Sequence, residues 1–503
     1  MDLKESATDT EYRTDDEKAA SSQDEIESVL GEEHREYLLQ RHGTLDLDPM
    51  PSADPADPYN WSKPKKIINL ALVAFHAMMA TFIAAGIAGV LLPISLDLNV
   101  SILRASYLLS LVIAILGGAP LLWRPLANRY GRRPIFLISL LFSIAGNIGC
   151  AKSPNYATMG LCRAIAGFFI SPAAAIGSAV VSETFFKRER ATYMGVWTIM
   201  VTCGVPIGPF LFGFLAQRAD YRWIYWILAM INGVQFVLYF FFGSETLYMR
   251  TTDSVVKSET PTTIASYFNF RRIDPSPLTL ASFTHPFRYF LRPRVCLPAI
   301  AYAMVFMWSF VLPSILIPQV FPVTFRLDPQ QTGLQFLSFI IGSLIGEQLG
   351  GRASDWWMRR RQRVLGPGQA PPPEYRLWLS YPGFALSIIG TVVFLVQIQH
   401  LGTKWNVTPL VGAAIAAAGN QLVTTVLITY AVDCYREDSA AVGVFIVFVR
   451  QTWGFIGPFW WTHLIDKVNY TGTAGVGVGF IVVFSVLPII WLQASYYKVA
   501  TSS

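Results

Sequence analysis

Long apolar stretches recur along this 503-residue chain, each long enough to cross a bilayer as a helix. They cover approximately residues 66–92, 104–123, 133–151, 156–181, 192–216, 221–243, 295–318, 331–351, 376–398, 407–432, 439–463 and 473–496. About 20 residues rising ~1.5 Å each span the ~30 Å of hydrocarbon. No water reaches the backbone there, so each stretch must satisfy its own N–H and C=O groups as a helix. Only 14% of the residues are charged, against about 25% in soluble domains.

Two of the polar gaps carry one pattern. Ala127-Asn128-Arg129-Tyr130-Gly131-Arg132-Arg133 aligns without a gap on Ser354-Asp355-Trp356-Trp357-Met358-Arg359-Arg360, 227 positions later. Each follows the second stretch of its half, which is the mark of a duplicated bundle. Gly204-Val205-Pro206-Ile207-Gly208-Pro209 in stretch five is matched by Gly454-Phe455-Ile456-Gly457-Pro458 in stretch eleven. Gly and Pro there let helices approach and bend. The expected gate and hinge set is Asn128, Arg129, Gly131, Arg132, Arg133, Asp355, Arg359, Arg360, Gly204, Gly208, Pro209, Gly213, Gly457 and Pro458. The fold class expected is an all-α membrane protein, with twelve transmembrane helices in two pseudo-symmetric six-helix bundles. Residues 61–243 form one bundle, 244–294 a cytoplasmic linker loop and 295–498 the other bundle. Residues 1–60, with 17 acidic and 5 basic side chains, read as a disordered acidic cytoplasmic tail.

Basic residues fix the orientation. The gaps after stretches two, four, six and eight hold most of the Lys and Arg, among them Arg124, Lys187, Arg188, Arg288, Arg294 and Arg376. That places both termini in the cytoplasm of a multi-pass cell-membrane protein. Asn99, Asn406 and Asn469 begin N-glycosylation acceptors in gaps assigned outside. Basic charge divided among loops between apolar stretches excludes a nucleic-acid partner. No phosphate-binding Gly-x-x-x-x-Gly-Lys-Ser/Thr loop occurs, so ATP is not the fuel, and no enzyme constellation stands out. Cys150, Cys162, Cys203, Cys296 and Cys434 lack metal spacing and read as small core side chains. Neither a metal nor a cofactor is expected, and the protein is read as functional as a monomer in the lipid bilayer.

These residues resemble the major facilitator superfamily. Arg124 to Pro134 is similar to that superfamily's loop between spans two and three. The segment Gly204 to Gly213 resembles the fifth-span motif of the twelve-span drug:proton antiporters, and Arg163-Ala164-Ile165-Ala166-Gly167 resembles their Arg-containing fourth-span motif. Asp57-Pro58-Tyr59-Asn60-Trp61-Ser62, Glu245-Thr246-Leu247 and Tyr430-Ala431-Val432-Asp433-Cys434-Tyr435 are similar to the fungal branch. One departure stands out. The family usually has an acid at the place of Asn128, helping to close the cytoplasmic side; Asn keeps a hydrogen bond but not the charge, so either the inner gate is weaker or Asp355 carries more of it.

Charged side chains inside spans are costly and mark function by default. The transport and coupling candidates are His76, Arg163, Arg450, Glu183, Asp433 and Glu347. His76 lies ten residues beyond Lys66, ~15 Å along a helix, where an imidazole can exchange a proton; the alternative is a satisfied interface histidine. Arg163 either snorkels or, as the resemblance implies, tunes a proton carrier. Arg450 is expected to pair with a carboxylate, a carbonyl or an anionic substrate. Glu347 is read as lying near the inner face beside Arg352. Glu183 and Asp433 are either interface ion pairs or proton acceptors and gate locks. The resemblance implies a cavity lined by spans one, four, seven and ten, so Asn420, Gln421, Trp308 and Tyr302 are cavity candidates. Asn232 and Gln235 join them as polar groups that suit an amphipathic substrate. The function expected is secondary active transport by alternating access: proton-coupled export of a small organic compound, a drug or secondary metabolite. The rivals are uptake of a cation or nutrient such as a polyamine, and a non-transporting membrane sensor.

Overall fold

A computed structural model describes residues 32–249, 273–274, 277–365, 372–435 and 438–502; the side chains of Lys187, Arg188, Ala191, Arg352, Asp355, Arg359, Gln362, Leu365 and 496–502 are not described. All regular elements among the described residues are helical. The first half contains α1 (Glu32–His42), α2 (Lys63–Ala85), α3 (Leu91–Asp97), α4 (Ile102–Tyr130), α5 (Arg132–Ala151), α6 (Tyr156–Ile170), α7 (Pro172–Thr184), α8 (Lys187–Ala216) and α9 (Arg222–Phe242). After the short α10 (Leu280–Thr284) come α11 (Pro293–Phe306), α12 (Leu312–Phe325), α13 (Pro329–Leu334), α14 (Leu337–Leu365), α15 (Ser380–Gln399), α16 (Thr408–Cys434), α17 (Ser439–Ile481) and α18 (Leu487–Ser502).

Among the described residues ten helical segments are long and apolar enough to cross a membrane, where the sequence suggests twelve. Two local features account for the difference. The segment Ser439–Ser495 is 57 residues long, ~85 Å as one straight helix, far more than a bilayer's thickness. It breaks at Asn469, whose φ of 59° and ψ of 177° are not helical, and so supplies both stretch eleven and stretch twelve. Stretch eight is divided between α13 and α14, and in α14 Glu347, Gln348 and the basic run from Arg352 dilute the apolar half. It still packs lengthwise on α16 and reaches α8.

Helix starts at one end of the molecule follow from caps. The Ser101 side chain accepts the Arg104 N–H, Asn155 accepts that of Thr158, and Asp328 forms a capping box with Gln331, each satisfying donors that a helix start leaves free. The first and seventh spans are both irregular: one breaks between α2 and α3 around Gly86–Val90, the other widens to a π-turn over Met307–Val311. Leu161, Val234, Phe241, Phe242 and Trp491 lie more than half exposed, as lipid-facing side chains do.

The halves meet along two matched seams. The second span (α4) packs on the eleventh (α17), and the eighth (α13 and α14) packs on the fifth (α8). If span two corresponds to span eight and span five to span eleven, each seam is the image of the other. Within each half the same rule holds: α8 packs on α2, and α17 on α11.

The expectation of disorder up to residue 60 needs correcting. Residues 1–31 lie outside the described residues, but 32–60 are folded onto the first half. Leu38 is fully buried in α1 and Asp57 in the leader. His42 Nε2 and Asn60 Oδ1 lie 2.9 Å apart, Lys66 donates to Tyr59 O at 2.8 Å, and the Tyr59 hydroxyl donates to Ser182 O at 2.5 Å. Tyr59 also stacks on Phe186 with centroids 5.1 Å apart. Low aromatic content concealed this, because the contacts with the first half come from a few scattered residues, among them His42, Ser52, Asp54 and Tyr59.

Candidate functional site

The basic loop between α4 and α5 turns at Gly131, with φ 96°, a conformation that a β-carbon disfavours. A Cβ there would also strike the Glu245 carboxylate. Glu245, just past α9, accepts the backbone N–H of Arg132 at 2.8 Å and of Arg133 at 3.0 Å. Those donors are orphans at the α5 N-terminus, where negative charge is favoured. Burial pushes the Glu245 carboxyl above its usual 4.5, against the pull of its N–H partners.

The Arg132 guanidinium donates to Asn128 Oδ1 at 2.7 Å and to Glu183 Oε1 at 2.6 Å. Asn128 therefore acts as a neutral acceptor, and Glu183, at the end of span four, provides the charge. Span ten repeats this: Asp433 lies 3.4 Å from Arg376, which also donates to Ser354 Oγ at 2.6 Å. Arg129 pairs with Asp274 at 2.6 Å, and Arg133 donates to Phe240 O at 2.9 Å. Arg360 lies over the Trp356 ring at 5.5 Å. The side chains of Asp355 and Arg359 are outside the described residues.

At this end Asp438, before α17, ties the halves together. It takes Arg124 of α4 at 3.9 Å, the Tyr289 hydroxyl at 2.7 Å, His285 at 3.6 Å and Arg288. At the opposite end the seam is backbone against backbone. A Cβ on Gly213 would lie 2.6 Å from Pro329 O, and one on Gly333 2.7 Å from Pro209 O. Gln319 donates across to Ser106 Oγ at 3.0 Å, and Tyr107 stacks on Phe459 at 4.7 Å. Gly204 and Gly208 face span one at Met78, Thr81 and Phe82, while Gly454 faces Phe306 of span seven and Ile113 of span two. Gly457 lies against the Trp461 ring, and Pro458 is inside α17. Asn99, Asn406 and Asn469 are exposed at this same end, Asn99 in a turn, Asn406 in irregular chain and Asn469 at the break in α17.

Inside the spans the candidates separate. His76 is fully buried, with Nε2 3.3 Å from Ser139 Oγ and its ring against Phe136; it faces span three of its own half. Arg163 is also buried and donates to the carbonyls of Leu108 and Ala84 at 3.1 Å and of Ile83 at 3.4 Å. It closes the carbonyls left open where span one breaks. Trp308 is enclosed by Trp460, Trp461 and Phe480 within the second half. Asn232 donates to Ser143 at 3.1 Å and Gln235 to Leu72 O at 3.1 Å, so both join helices of the first half. Tyr302 accepts from Arg450 at 2.8 Å.

Glu347 moves from where the sequence put it. Its Oε2 accepts from Gln421 Nε2 at 2.6 Å and from Thr425 Oγ1 at 3.3 Å. Gln421 is the midpoint of α16 (Thr408–Cys434), so Glu347 stands level with the middle of span ten rather than at the inner face. Asn420 beside it is buried, and its Oδ1 has no hydrogen-bond partner among the described residues. Glu245, Asp438, Arg376 and the Gln319–Ser106 pair were not singled out as site residues. Glu245 had a signal, its place in the Glu-Thr-Leu segment, but no role could be read from it.

The family model described as Major Facilitator Superfamily matches residues 70–458, most of the chain. This chain belongs to the major facilitator superfamily. Among curated proteins it is similar to the MFS transporter cpaT of Aspergillus oryzae, 27% identical over 80% of this chain and 82% of the relative. It is also similar to the efflux pump radE of Floropilus chiversii, 27% identical over 85% and 78%. A third relative, the efflux pump vrtL of Penicillium aethiopicum, is 27% identical over 83% and 82%. As a member of the superfamily the protein is a multi-pass membrane transporter of small molecules, and the matched seams are the geometry its two related halves require.

Proposed function

We propose that this superfamily member is a secondary active transporter that exports a small organic compound in exchange for protons. It works by alternating access between residues 61–243 and 295–498, with 244–294 as linker. The basic end faces the cytoplasm with both termini, as its arginines imply, and the membrane is the cell membrane. Two relatives with efflux pump in their names support the outward direction.

One observation carries proton coupling: Glu347, a carboxylate at mid-membrane depth on a seam helix, held by neutral donors from span ten. Gln421 and Thr425 can shift their hydrogen bonds as Glu347 gains or loses a proton, and among the described residues no cation pairs with it. His76 is a weaker carrier because it faces span three within one half. Cation uptake, for a polyamine as an example, would be supported by Glu183 and Asp433 lining the cavity. Glu183 and Asp433 are instead engaged with Arg132 and Arg376.

The test measures accumulation of a panel of organic compounds in cells with and without the protein, at two external pH values. Accumulation should fall when the protein is present, and the fall should disappear when the proton gradient is collapsed. Export unaffected by collapse contradicts coupling. Glu347→Gln should remove the pH dependence at unchanged protein level.

A further inference from the structure

The two arginines within the spans are used differently. Arg163 spends its donors on three backbone carbonyls. Arg450 has five N–H donors, yet among the described residues its one hydrogen bond goes to the Tyr302 hydroxyl, and its Nε is buried with no partner. No ion pair reaches it among the described residues. Its guanidinium instead lies 4.6 Å from the Phe306 ring centroid and 5.6 Å from that of Tyr302. It sits eleven positions past Ser439 in α17, ~16 Å along the helix, too deep to reach water by snorkelling.

Its neighbours place it at the seam. Gly454, one turn further along α17, faces Ile113 of α4 as well as Phe306, and Gln451 approaches Gly117 of α4. Arg450 is only partly buried, so it borders space between the halves. A cation kept at this depth without a counter-charge is costly. Two aromatic faces offset part of that cost and hold the guanidinium flat, with donors left for an incoming group.

We propose that Arg450, with Tyr302 and Phe306, binds the negatively charged group of an aromatic organic anion, so that the transported compound is a weak organic acid. The guanidinium takes a carboxylate or phenolate through paired N–H donors; Phe306 flanks the ligand's ring system, and the buried Tyr302 holds the guanidinium through its hydroxyl. An inside-negative membrane potential drives such an anion outward, in the direction proposed above. This inference rests on the export reading and narrows its substrate class.

The experiment uses the full-length protein in lipid nanodiscs and three probes of one shape: 1-naphthoate, neutral 1-naphthamide and cationic 1-naphthylmethylammonium. Binding is read by tryptophan fluorescence and by the shift in thermal unfolding. Naphthoate should bind at least tenfold tighter than the other two. Arg450→Gln should abolish that preference, and Arg450→Lys should keep part of it. Equal binding of acid and amide, or a preference that survives Arg450→Gln, overturns the proposal. If Arg450→Gln does not fold, the wild-type ratio together with Arg450→Lys decides. Efflux from cells is scored separately. A naphthoate preference without export of any compound overturns the export reading and leaves the anion site standing. Export of compounds without a naphthoate preference does the reverse.

Discussion

Gly131 and Glu245 show how one residue fixes a loop. Gly131 supplies a positive φ and the space its neighbour's carboxylate fills. Gly131→Ala should therefore lower the unfolding temperature in detergent well beyond Gly195→Ala, where a Cβ meets nothing within 4 Å; equal effects would remove the steric account. Glu245→Gln leaves one N–H at the α5 start facing an amide donor and should cost about 1–3 kcal/mol. The pH sign follows from burial. A carboxyl raised above its ordinary 4.5 binds more protons folded than unfolded, so its contribution to stability is full below that value and declines as pH rises through the folded pKa. Unfolding temperatures at about pH 4.5 and pH 6.5 should fall with pH through this group, and the fall should be smaller in Glu245→Gln.

At the scale of elements, duplication was legible where chemistry recurs at fixed spacing. The Arg-pair loops and the Gly-Pro segments found their counterparts, and most span positions followed from apolar length alone. The gap between stretches eleven and twelve, where the chain breaks at Asn469, is marked by the polar residues Asp466, Lys467 and Asn469. Two features could not be read that way. The fold of residues 32–60 rests on a few anchors in an acidic segment. The pairing of Glu183 with Arg132, and of Asp433 with Arg376, joins residues 51 and 57 positions apart, which only tertiary packing settles. Because these pairs hold the ends of spans four and ten, Glu183→Gln and Asp433→Asn should each loosen the basic end of its own half. Combined with the matching Arg132→Gln, Glu183→Gln should be far from additive in a thermal double-mutant cycle, with a coupling of about 0.5–3 kcal/mol. Additivity would show that the contact carries no coupling. The other end closes by glycine contacts, so Gly333→Val should hold it apart. Ser106→Cys, buried in the parent, should then react faster with a membrane-impermeant maleimide, and an unchanged rate would place the closure elsewhere.

At the scale of the whole molecule, two related halves meet along two equivalent seams, with a polar tie at the basic end and backbone contact at the other. Glu347 and Arg450 lie at or beside those seams, whereas His76 and Trp308 do not. The sequence identified which residues are costly in a membrane, but a helix's rotation about its axis decides which of them reach the shared interior, and near-uniform apolarity hides that rotation. Rocking about the seams should open one end as it closes the other. Spin labels at Arg124→Cys and Asp438→Cys report on the basic end, and labels at Ser106→Cys and Gln319→Cys on the opposite end. Distances measured for both pairs in nanodiscs, as pH and added organic compound are varied, should change in opposite senses, one population widening as the other narrows. Two pairs that stay fixed, or that widen together, would contradict the account.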